Sequence, residues 1–263
     1  TRIRGDKAPY TTSFALENDG TRVSGDDLAG VSSWLYFDPT VVSTLMRHRG
    51  ASLHWYSAET GGLGASTSVH FGINRLGLIT VFAKDIGALD AWEQRLWSAH
   101  NVTPEGGVSD ELFAAQMEVA PASTVAPESQ LGVALEEIDA AFNAKYGVPL
   151  LRDDAAVPGL LRRAHRFQAA EADGLLELSK EVTRLFMERV DVDAVLAPLA
   201  LPKPKDGKKP GSNKALERLV GSLLSEADAK VMMSPLFGIY DLRLADAHLG
   251  SSNVASGKER AGV

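Results

Sequence analysis

The stretch TSVHFGINRLGLITVFA, residues 67–83, decides the fold of the front half of this chain. Its first part alternates apolar residues with small or polar ones, a period of two that predicts a strand with one buried face. Its second part is almost entirely apolar, which is typical of a central strand covered on both sides. The short segment 74–77 between the two parts has the length of a hairpin turn. We therefore predict paired strands over 67–73 and 76–83.

Further elements flank these two strands. Another strand is predicted over 53–57, and helices are predicted over 39–48, 89–100 and 109–117 from their apolar periodicity and capping residues. The glycine-rich segment 61–64 lies between strands and does not precede a helix. It is therefore predicted to be a flexible connection and not a phosphate-binding loop.

The helix over 89–100 has a clear apolar stripe. Its apolar side consists of Trp92, Leu96 and Ala99. We expect this stripe to face inward and Glu93 to face solvent.

The back half of the chain is helical by its periodicity. Residues 120–130 hold two prolines and no period, so a domain boundary is placed there. Helices are predicted over 135–146, 159–189, 214–231 and 234–249. The last one is predicted to start at Pro235, which follows a capping Ser234. The sequence thus predicts an α+β protein, with a small antiparallel or mixed sheet and helices in a sensing or regulatory domain over 1–125, and a helical bundle over 126–263.

Composition excludes several kinds of site. The 263 residues include no cysteine, which rules out disulfides, zinc-thiolate sites and cysteine nucleophiles. No apolar run approaches the roughly 20 residues that cross a bilayer, and no two histidines share the spacing of metal ligands on a helix. We therefore expect a cytoplasmic protein with no membrane association, no metal and no cofactor.

Charge is distributed unevenly between the halves. Residues 1–131 carry 9 Lys and Arg against 15 Asp and Glu, and residues 132–263 carry 18 against 19, so the net charges are −6 and −1. Since nonspecific affinity for nucleic acid comes from clustered positive charge, RNA contacts are expected on the back half. The candidate RNA-binding residues are Lys203, Lys205, Lys208 and Lys209. The stretch 202–214 that contains them also fits a solvated loop, and this alternative stays open.

One pattern near the end of the chain suggests chemistry. In YDLRLADAH, residues 240–248, four residues separate Arg243 from His248, a spacing that resembles the Arg-x(4–6)-His signature of HEPN-superfamily ribonucleases. Members of that family are small helical bundles, usually dimeric, that cut RNA without a metal. The resemblance implies that His248 moves protons at the 2′-hydroxyl or the leaving oxygen and that Arg243 stabilises the phosphate. Asp241 would support them by shaping the local field.

Helix geometry constrains this hypothesis. Five positions turn an α-helix by about 500°, so Arg243 and His248 point about 140° apart. They can meet at one phosphate only if the helix ends near His248 or if a second subunit supplies the partner. The alternative is that Arg243 forms a surface ion pair with Asp246 or another acid and that His248 covers the helix end.

The front half carries a second resemblance, which spans about residues 34–118. The runs WLYFDP (34–39), VFAKDIG (81–87) and WEQRLWSAHNV (92–102) are similar to a widespread group of uncharacterised bacterial proteins. This resemblance implies no known activity.

Two functions are therefore expected. The first is a metal-independent, HEPN-like RNA endonuclease of toxin or phage-defence type, whose acidic front domain senses a trigger or restrains the helical domain. The second is a noncatalytic protein- or ligand-binding module of a larger bacterial assembly, with helices that serve for oligomerisation. Both include a homo-oligomer or a protein partner, and only the first includes RNA.

Overall fold

The computed structural model describes residues 12–199, 208–247 and 253–262. The chain divides into unit 1, Thr1–Ser129, and unit 2, Gln130–Val263. Unit 1 contains an antiparallel sheet with helices and unit 2 is helical, so the predicted α+β class is confirmed. No helix of the described ranges combines the length and the apolar character that crossing a bilayer requires.

The predicted hairpin lies in the middle of an antiparallel sheet. The strands of the described chain are β1 Ser13–Ala15, β2 Arg22–Ser24, β3 Trp34–Phe37, β4 Ser52–Trp55, β5 Thr60–Gly64, β6 Val69–Ile73, β7 Ile79–Phe82 and β8 Asn101–Val102. Strands β1 and β2 pair with each other, and the larger sheet has the order β4-β5-β6-β7-β3-β8. Asn74 closes the turn between β6 and β7, since its Oδ1 accepts hydrogen bonds from the N–H groups of Leu76 and Leu78. The predicted turn is therefore confirmed.

One face of the sheet forms the core of unit 1. The helices of this unit are α1 Thr40–Met46, α2 Ala83–Gly87, α3 Ala91–Ala99 and α4 Asp110–Met117. The buried side chains on the core face of the strands include Leu35, Phe37, Leu63, Val69, Phe71 and Val81. Phe37 contacts Trp97 of α3 edge to face, with ring centroids 4.8 Å apart. The alternation predicted for β6 places Val69 and Phe71 on this face.

The opposite face of the sheet contacts α4 at a glycine. A Cβ on Gly72 would lie 2.5 Å from Ser109 Cβ and 2.6 Å from Leu112 Cβ, so α4 lies closer to β6 than a side chain would allow. The Ser109 hydroxyl caps α4 by accepting a hydrogen bond from the N–H of Leu112. The N–H of Ser109 donates in turn to Thr80 Oγ1 at 3.3 Å. The predicted start of this helix is confirmed.

The glycine-rich segment 61–64 is a strand, and the prediction of a flexible connection is wrong. It forms most of β5, which pairs with both β4 and β6 and is buried throughout. A Cβ on Gly62 would lie 2.4 Å from the Tyr56 hydroxyl and 2.5 Å from Ser68 Oγ. Glycine at this position therefore leaves room for the side chains of Tyr56 and Ser68 to lie against the strand.

Helix α3 also differs from its prediction, because it buries polar residues. Glu93 is 1% exposed, and its Oε1 accepts hydrogen bonds from the N–H groups of Ala65 and Ser66, each at 3.2 Å. The buried residues of α3 are Glu93, Gln94 and Trp97. A carboxylate that fixes the connection between β5 and β6 thus faces inward, and the predicted apolar stripe lies at the margin of the core.

Unit 2 consists of helices that pack side by side. In the described chain they are α5 Pro127–Tyr146, which begins before the predicted residue 135, then α6 Val157–Arg163, α7 Ala172–Leu185, α8 Val192–Leu196, α9 Ser212–Leu223, α10 Glu226–Ala247 and α11 Asn253–Ala261, with 3-10 turns at Arg166–Ala170 and Ala197–Leu199. Helix α10 contacts α7, α9 and α11. The apolar core includes Leu160, Leu185, Leu219 and Met233.

Several helix boundaries of unit 2 differ from the sequence pattern. The predicted helix over 159–189 is interrupted after α6, because Ala164 has a ψ of 77° and leaves the helical region. Pro235 does not start a helix, since it lies inside α10. The carbonyl of Val231 receives no N–H from Pro235. Val231 as a residue is 77% exposed, so the missing bond falls on the solvent side of the helix. Helix α10 starts instead near Ser225, whose Oγ accepts from the N–H of Asp228.

Replacing Gly72 with Ala is expected to lower the free energy of unfolding of unit 1 by about 1–3 kcal/mol, the usual effect of overpacking. The tryptophans are Trp34, Trp55, Trp92 and Trp97. All of them lie in unit 1, so urea unfolding followed by tryptophan fluorescence reports on this unit. Gly30→Ala is the control, since nothing lies within 4 Å of a Cβ at that position. Equal unfolding midpoints for the two variants would contradict the close approach of α4.

Candidate functional site

Arg243, the residue predicted to contact phosphate, lies in α10 and is paired with an acid. Its Nη2 forms an ion pair with Glu188, and its guanidinium lies 6.0 Å from the centroid of the Tyr240 ring. The side chains of Arg243 and Glu188 are 33% and 42% exposed. Ion pairs of this exposure contribute about 0–1 kcal/mol to stability. Arg243 can therefore exchange Glu188 for another anion with little loss of folding free energy.

Arg243 lines a cavity of about 470 Å³ in unit 2, which we call the Arg243 cavity. Its walls come from the end of α7, the start of α9 and the middle of α10. Its lining includes Glu188, Asn213, Lys214, Phe237, Tyr240 and Asp241. The cavity thus combines charged, amide and aromatic side chains from separate parts of the chain.

The first turn of α9 lies at the Arg243 cavity. Gly211 is the N-cap residue of this helix and provides no side-chain hydrogen bond. The N–H groups of a first helical turn have no intrahelical acceptor, and they carry the positive end of the helix dipole. Lys214 adds a formal charge, and its Nζ forms an ion pair with Glu217 and lies 5.4 Å from the centroid of the Phe237 ring. This wall therefore offers an anion two kinds of donor: the fixed N–H groups of the helix start and the mobile ammonium of Lys214.

Asn213 is a buried polar residue in the wall of the Arg243 cavity. It is 8% exposed, and its Nδ2 donates to the carbonyl of Leu236 at 3.5 Å. Its Oδ1 is buried and accepts no hydrogen bond from any described residue. Buried polar atoms are nearly always paired, so this oxygen is an exception, and its burial closes it to a ligand in the cavity.

Asp241, predicted as a supporting residue, lines the same cavity as Arg243. Its Oδ2 forms an ion pair with Arg260 of α11. This pair orients the Asp241 carboxylate and neutralises its charge. The structure thus brings together two of the predicted site residues.

The remaining predicted site residues fall into two groups. Lys203, Lys205 and His248 lie outside the described residues. Lys208 and Lys209 are exposed, and Lys209 Nζ lies 2.6 Å from Asp193 Oδ1. Neither lysine lines the Arg243 cavity.

The cavity residues that the sequence prediction missed include Glu188, Asn213 and Lys214. A signal existed for two of them, because Gly211 precedes Asn213 and Lys214 at the start of a helical pattern, and a helix start near lysines favours anions. No local pattern marks Glu188, which reaches Arg243 only through the packing of α7 on α10.

Unit 1 holds a second group of titratable side chains around His70 of β6. His70 Nε2 is buried and has no hydrogen-bond partner among the described residues. The Tyr56 ring lies edge to face against the imidazole, with centroids 5.1 Å apart. Burial lowers the pKa of His70, and the Asp85 carboxylate opposes that shift. Burial also raises the pKa of Asp85. Because the pKa of His70 is lowered, this group of side chains offers no strong positive charge to an anion at neutral pH.

Comparison of the chain with protein-family models, with curated proteins and with solved structures gives no match. Within the described ranges, no three His, Asp or Glu side chains gather as a metal site would require. The functional interpretation therefore depends on the geometry of the Arg243 cavity.

Acidification is expected to destabilise unit 1 through His70. The pKa of His70 is lower in the folded chain than its usual 6.5, so its stabilising contribution is present above about pH 6.5 and is lost as the pH falls through the folded-state value. Between about pH 7 and about pH 5, the urea midpoint followed by tryptophan fluorescence should fall less in His70→Gln than in the wild-type chain. Part of the decline should remain, because burial also lowers the pKa of His100.

His54→Gln is the matched control for this experiment, because His54 is an exposed histidine on β4. Its midpoint should decline as in the wild-type chain. A decline in His70→Gln equal to that of the wild-type chain would show that burial of His70 does not oppose its protonation.

Proposed function

We propose that unit 2 is a ligand-binding module that takes a phosphate group into the Arg243 cavity. One observation carries this proposal: a single cavity joins the guanidinium of Arg243, the ammonium of Lys214 and the first turn of α9, whose N-cap residue Gly211 has no side chain to cap it. A guanidinium binds phosphate oxygens in a bidentate manner, and the N–H groups of a helix start bind them with the support of the helix dipole. These groups together match the charge and the several acceptor oxygens of a phosphate.

The acids at the cavity set the strength of this binding. Arg243 is paired with Glu188 and Lys214 with Glu217. A phosphate must compete with these carboxylates, but it brings more charge and can also accept from the N–H groups of α9. The carboxylates therefore hold both cations in position and moderate the affinity for an incoming anion.

The size of the cavity favours a small ligand over a protein partner. Its volume is about 470 Å³, and small-molecule sites typically occupy about 300–1,000 Å³. A phosphate with one organic group fills such a space, whereas a protein interface needs a broad surface of about 800 Å² on each partner.

The second candidate function is the HEPN-like RNA endonuclease, and the partial exposure of Arg243 at the cavity favours it. In this candidate Arg243 holds the phosphate that is cut, and Asp241 supports the local field. His248 takes the proton of the 2′-hydroxyl or gives one to the leaving oxygen, without a metal. The candidate RNA-backbone contacts are Lys203, Lys205, Lys208 and Lys209.

The biological setting of this second candidate is a toxin or phage-defence effector. The acidic unit 1 would sense a trigger or restrain unit 2, and a homo-oligomer would supply His248 from a second copy. Arg243 and His248 point about 140° apart on a regular helix. A second copy is one way to bring them to one phosphate, and a helix end near His248 is the other.

Titration calorimetry with inorganic phosphate and the full chain tests the ligand-binding proposal. Arg243→Ala should weaken binding by about tenfold or more, since a hydrogen bond to a charged group contributes about 1.5–3 kcal/mol. Glu188→Gln should tighten binding by about three- to tenfold, because it removes the competing carboxylate. Glu177→Gln is the matched control, since Glu177 pairs with Lys180 outside the cavity. Wild-type affinity in both Arg243→Ala and Glu188→Gln would refute the assignment of this cavity.

Incubation of the full chain with total RNA in EDTA tests the endonuclease candidate. Cleavage is expected to fall by about a hundredfold or more in both Arg243→Ala and His248→Ala, the usual effect of losing a general acid–base group or a phosphate contact. Arg218→Ala is the control, because Arg218 lines a different cavity. If the wild-type chain binds phosphate and leaves RNA intact, the endonuclease candidate is wrong and the ligand-binding module stands.

A further inference from the structure

Unit 1 contains a cavity of its own, of about 500 Å³, which we call the Arg75 cavity. Its lining includes Glu59, Ile73, Arg75, Val108, Asp110 and Phe113. We infer that this cavity binds a small zwitterion with an apolar side chain, which is the chemistry of an amino acid. The inference does not depend on the proposed phosphate site, because the two cavities lie in different units.

Arg75 supplies the group that binds a carboxylate. It is an exposed residue in the turn between β6 and β7. In the part of the chain that the structure describes, no acid forms an ion pair with it. A guanidinium donates two parallel hydrogen bonds to a carboxylate. A ligand carboxylate therefore reaches this guanidinium without displacing a described acid, in contrast to the situation at Arg243.

Helix α4 supplies the groups that bind an ammonium and an apolar side chain. Asp110 and Phe113 are three residues apart, so they share a face of the helix with Cβ atoms about 5–6 Å apart. Asp110 is exposed and Phe113 is 43% exposed, so a ligand can reach both. In an amino acid the ammonium and the side chain are attached to one carbon, which suits this short spacing. Ile73 and Val108 extend the apolar wall.

The signs of the charges in the lining favour a ligand that carries both. Glu59 and Asp110 are acids and Arg75 is a base. A simple anion would meet two carboxylates in the cavity, and a simple cation would meet the guanidinium. Because Arg75 and Asp110 form no ion pair with each other, a ligand with a carboxylate and an ammonium can lie between them.

A buried amide holds two walls of the cavity together. Asn74 is 6% exposed, and its Nδ2 donates to the carbonyls of Glu105 and Gly107 at 2.7 and 2.8 Å. Its Oδ1 accepts from N–H groups of the turn that carries Arg75. One side chain thus joins this turn to the loop that precedes α4. A preformed cavity of this kind orders few groups when a ligand binds, which favours affinity.

Two sources can supply this chemistry: a free amino acid and a short peptide. The volume of about 500 Å³ lies in the usual range of small-molecule sites, about 300–1,000 Å³. Both sources carry an ammonium, a carboxylate and an apolar side chain. They differ in the distance between the two charges, because each added residue separates them by up to about 3.6 Å.

The test compares ligands that share one ring and differ in their charges. L-phenylalanine, 2-phenylethylamine, which lacks the carboxylate, and 3-phenylpropionate, which lacks the ammonium, are titrated into the full chain by calorimetry. L-phenylalanine should bind about tenfold or more tightly than either analogue, because each analogue loses one set of charged hydrogen bonds. L-phenylalanylglycine keeps the ammonium beside the ring and moves the carboxylate away. Tighter binding of this dipeptide than of L-phenylalanine assigns the cavity to peptides, and weaker binding assigns it to free amino acids.

Two variants test which residue binds which charge. Arg75→Gln should weaken L-phenylalanine binding by about tenfold and leave the binding of 2-phenylethylamine unchanged. Asp110→Asn should weaken L-phenylalanine binding to a similar extent and leave the binding of 3-phenylpropionate unchanged. Arg49→Gln is the matched control, since Arg49 is also an exposed arginine in a turn of unit 1 and does not line the cavity. This control should bind L-phenylalanine as the wild-type chain does.

The ligand series needs only the wild-type chain, so the inference stays testable whatever the variants do to folding. Equal affinity for L-phenylalanine and either analogue would show that the cavity does not bind both charges, and the inference would be wrong. Wild-type affinity for L-phenylalanine in both Arg75→Gln and Asp110→Asn would place the ligand elsewhere. If neither L-phenylalanine nor the dipeptide binds, the inference also fails, and the titration with inorganic phosphate still decides the proposed function separately.

Discussion

The packing of α9 against α10 is the constraint on which the candidate site depends. Apolar side chains from both helices share the core of unit 2, and the Asn213 amide bonds to the carbonyl of Leu236 at 3.5 Å. The packing of the two helices places the start of α9 beside Tyr240 and Arg243 of α10. Neither a helix start nor a single arginine would select a ligand alone, because each is readily solvated. Because both line one cavity, they can bind the same anion.

Local charge, and not net charge, governs this site. The whole chain carries −7, so long-range attraction does not guide an anion to it. Around the cavity the formal charges are balanced in pairs, Arg243 with Glu188 and Asp241 with Arg260. The N–H groups in the first turn of α9 add the positive potential of the helix dipole, which favours an anion. Because the pairs are partly exposed, ligand exchange is compatible with the stability of the fold.

Unit 1 uses polar residues for a different purpose. Glu93 and Gln94 face inward from α3 to bond backbone groups, and Gly72 lets α4 approach the sheet. The partly buried His70 belongs to the same pattern, since burial lowers its pKa and its ring contacts that of Tyr56. These residues resemble functional groups by their chemistry, yet their contacts serve the packing of the sheet. Chemical type alone therefore does not separate structural from ligand-binding residues in this chain.

The sequence by itself determined the α+β class and the hairpin around Asn74, and it marked Arg243 as a candidate site residue. Each of these follows from local periodicity, turn chemistry or spacing. Tertiary structure alone decided that segment 61–64 is a strand, since glycine has a low strand propensity and this segment is held by pairing with β4 and β6. It also decided the course of α10 through Pro235, whose missing N–H falls beside the exposed residue Val231. The cavity itself, with its contributions from α7, α9 and α10, was beyond local reasoning. Its residues are distant in sequence, and only the burial of apolar side chains between helices brings them together.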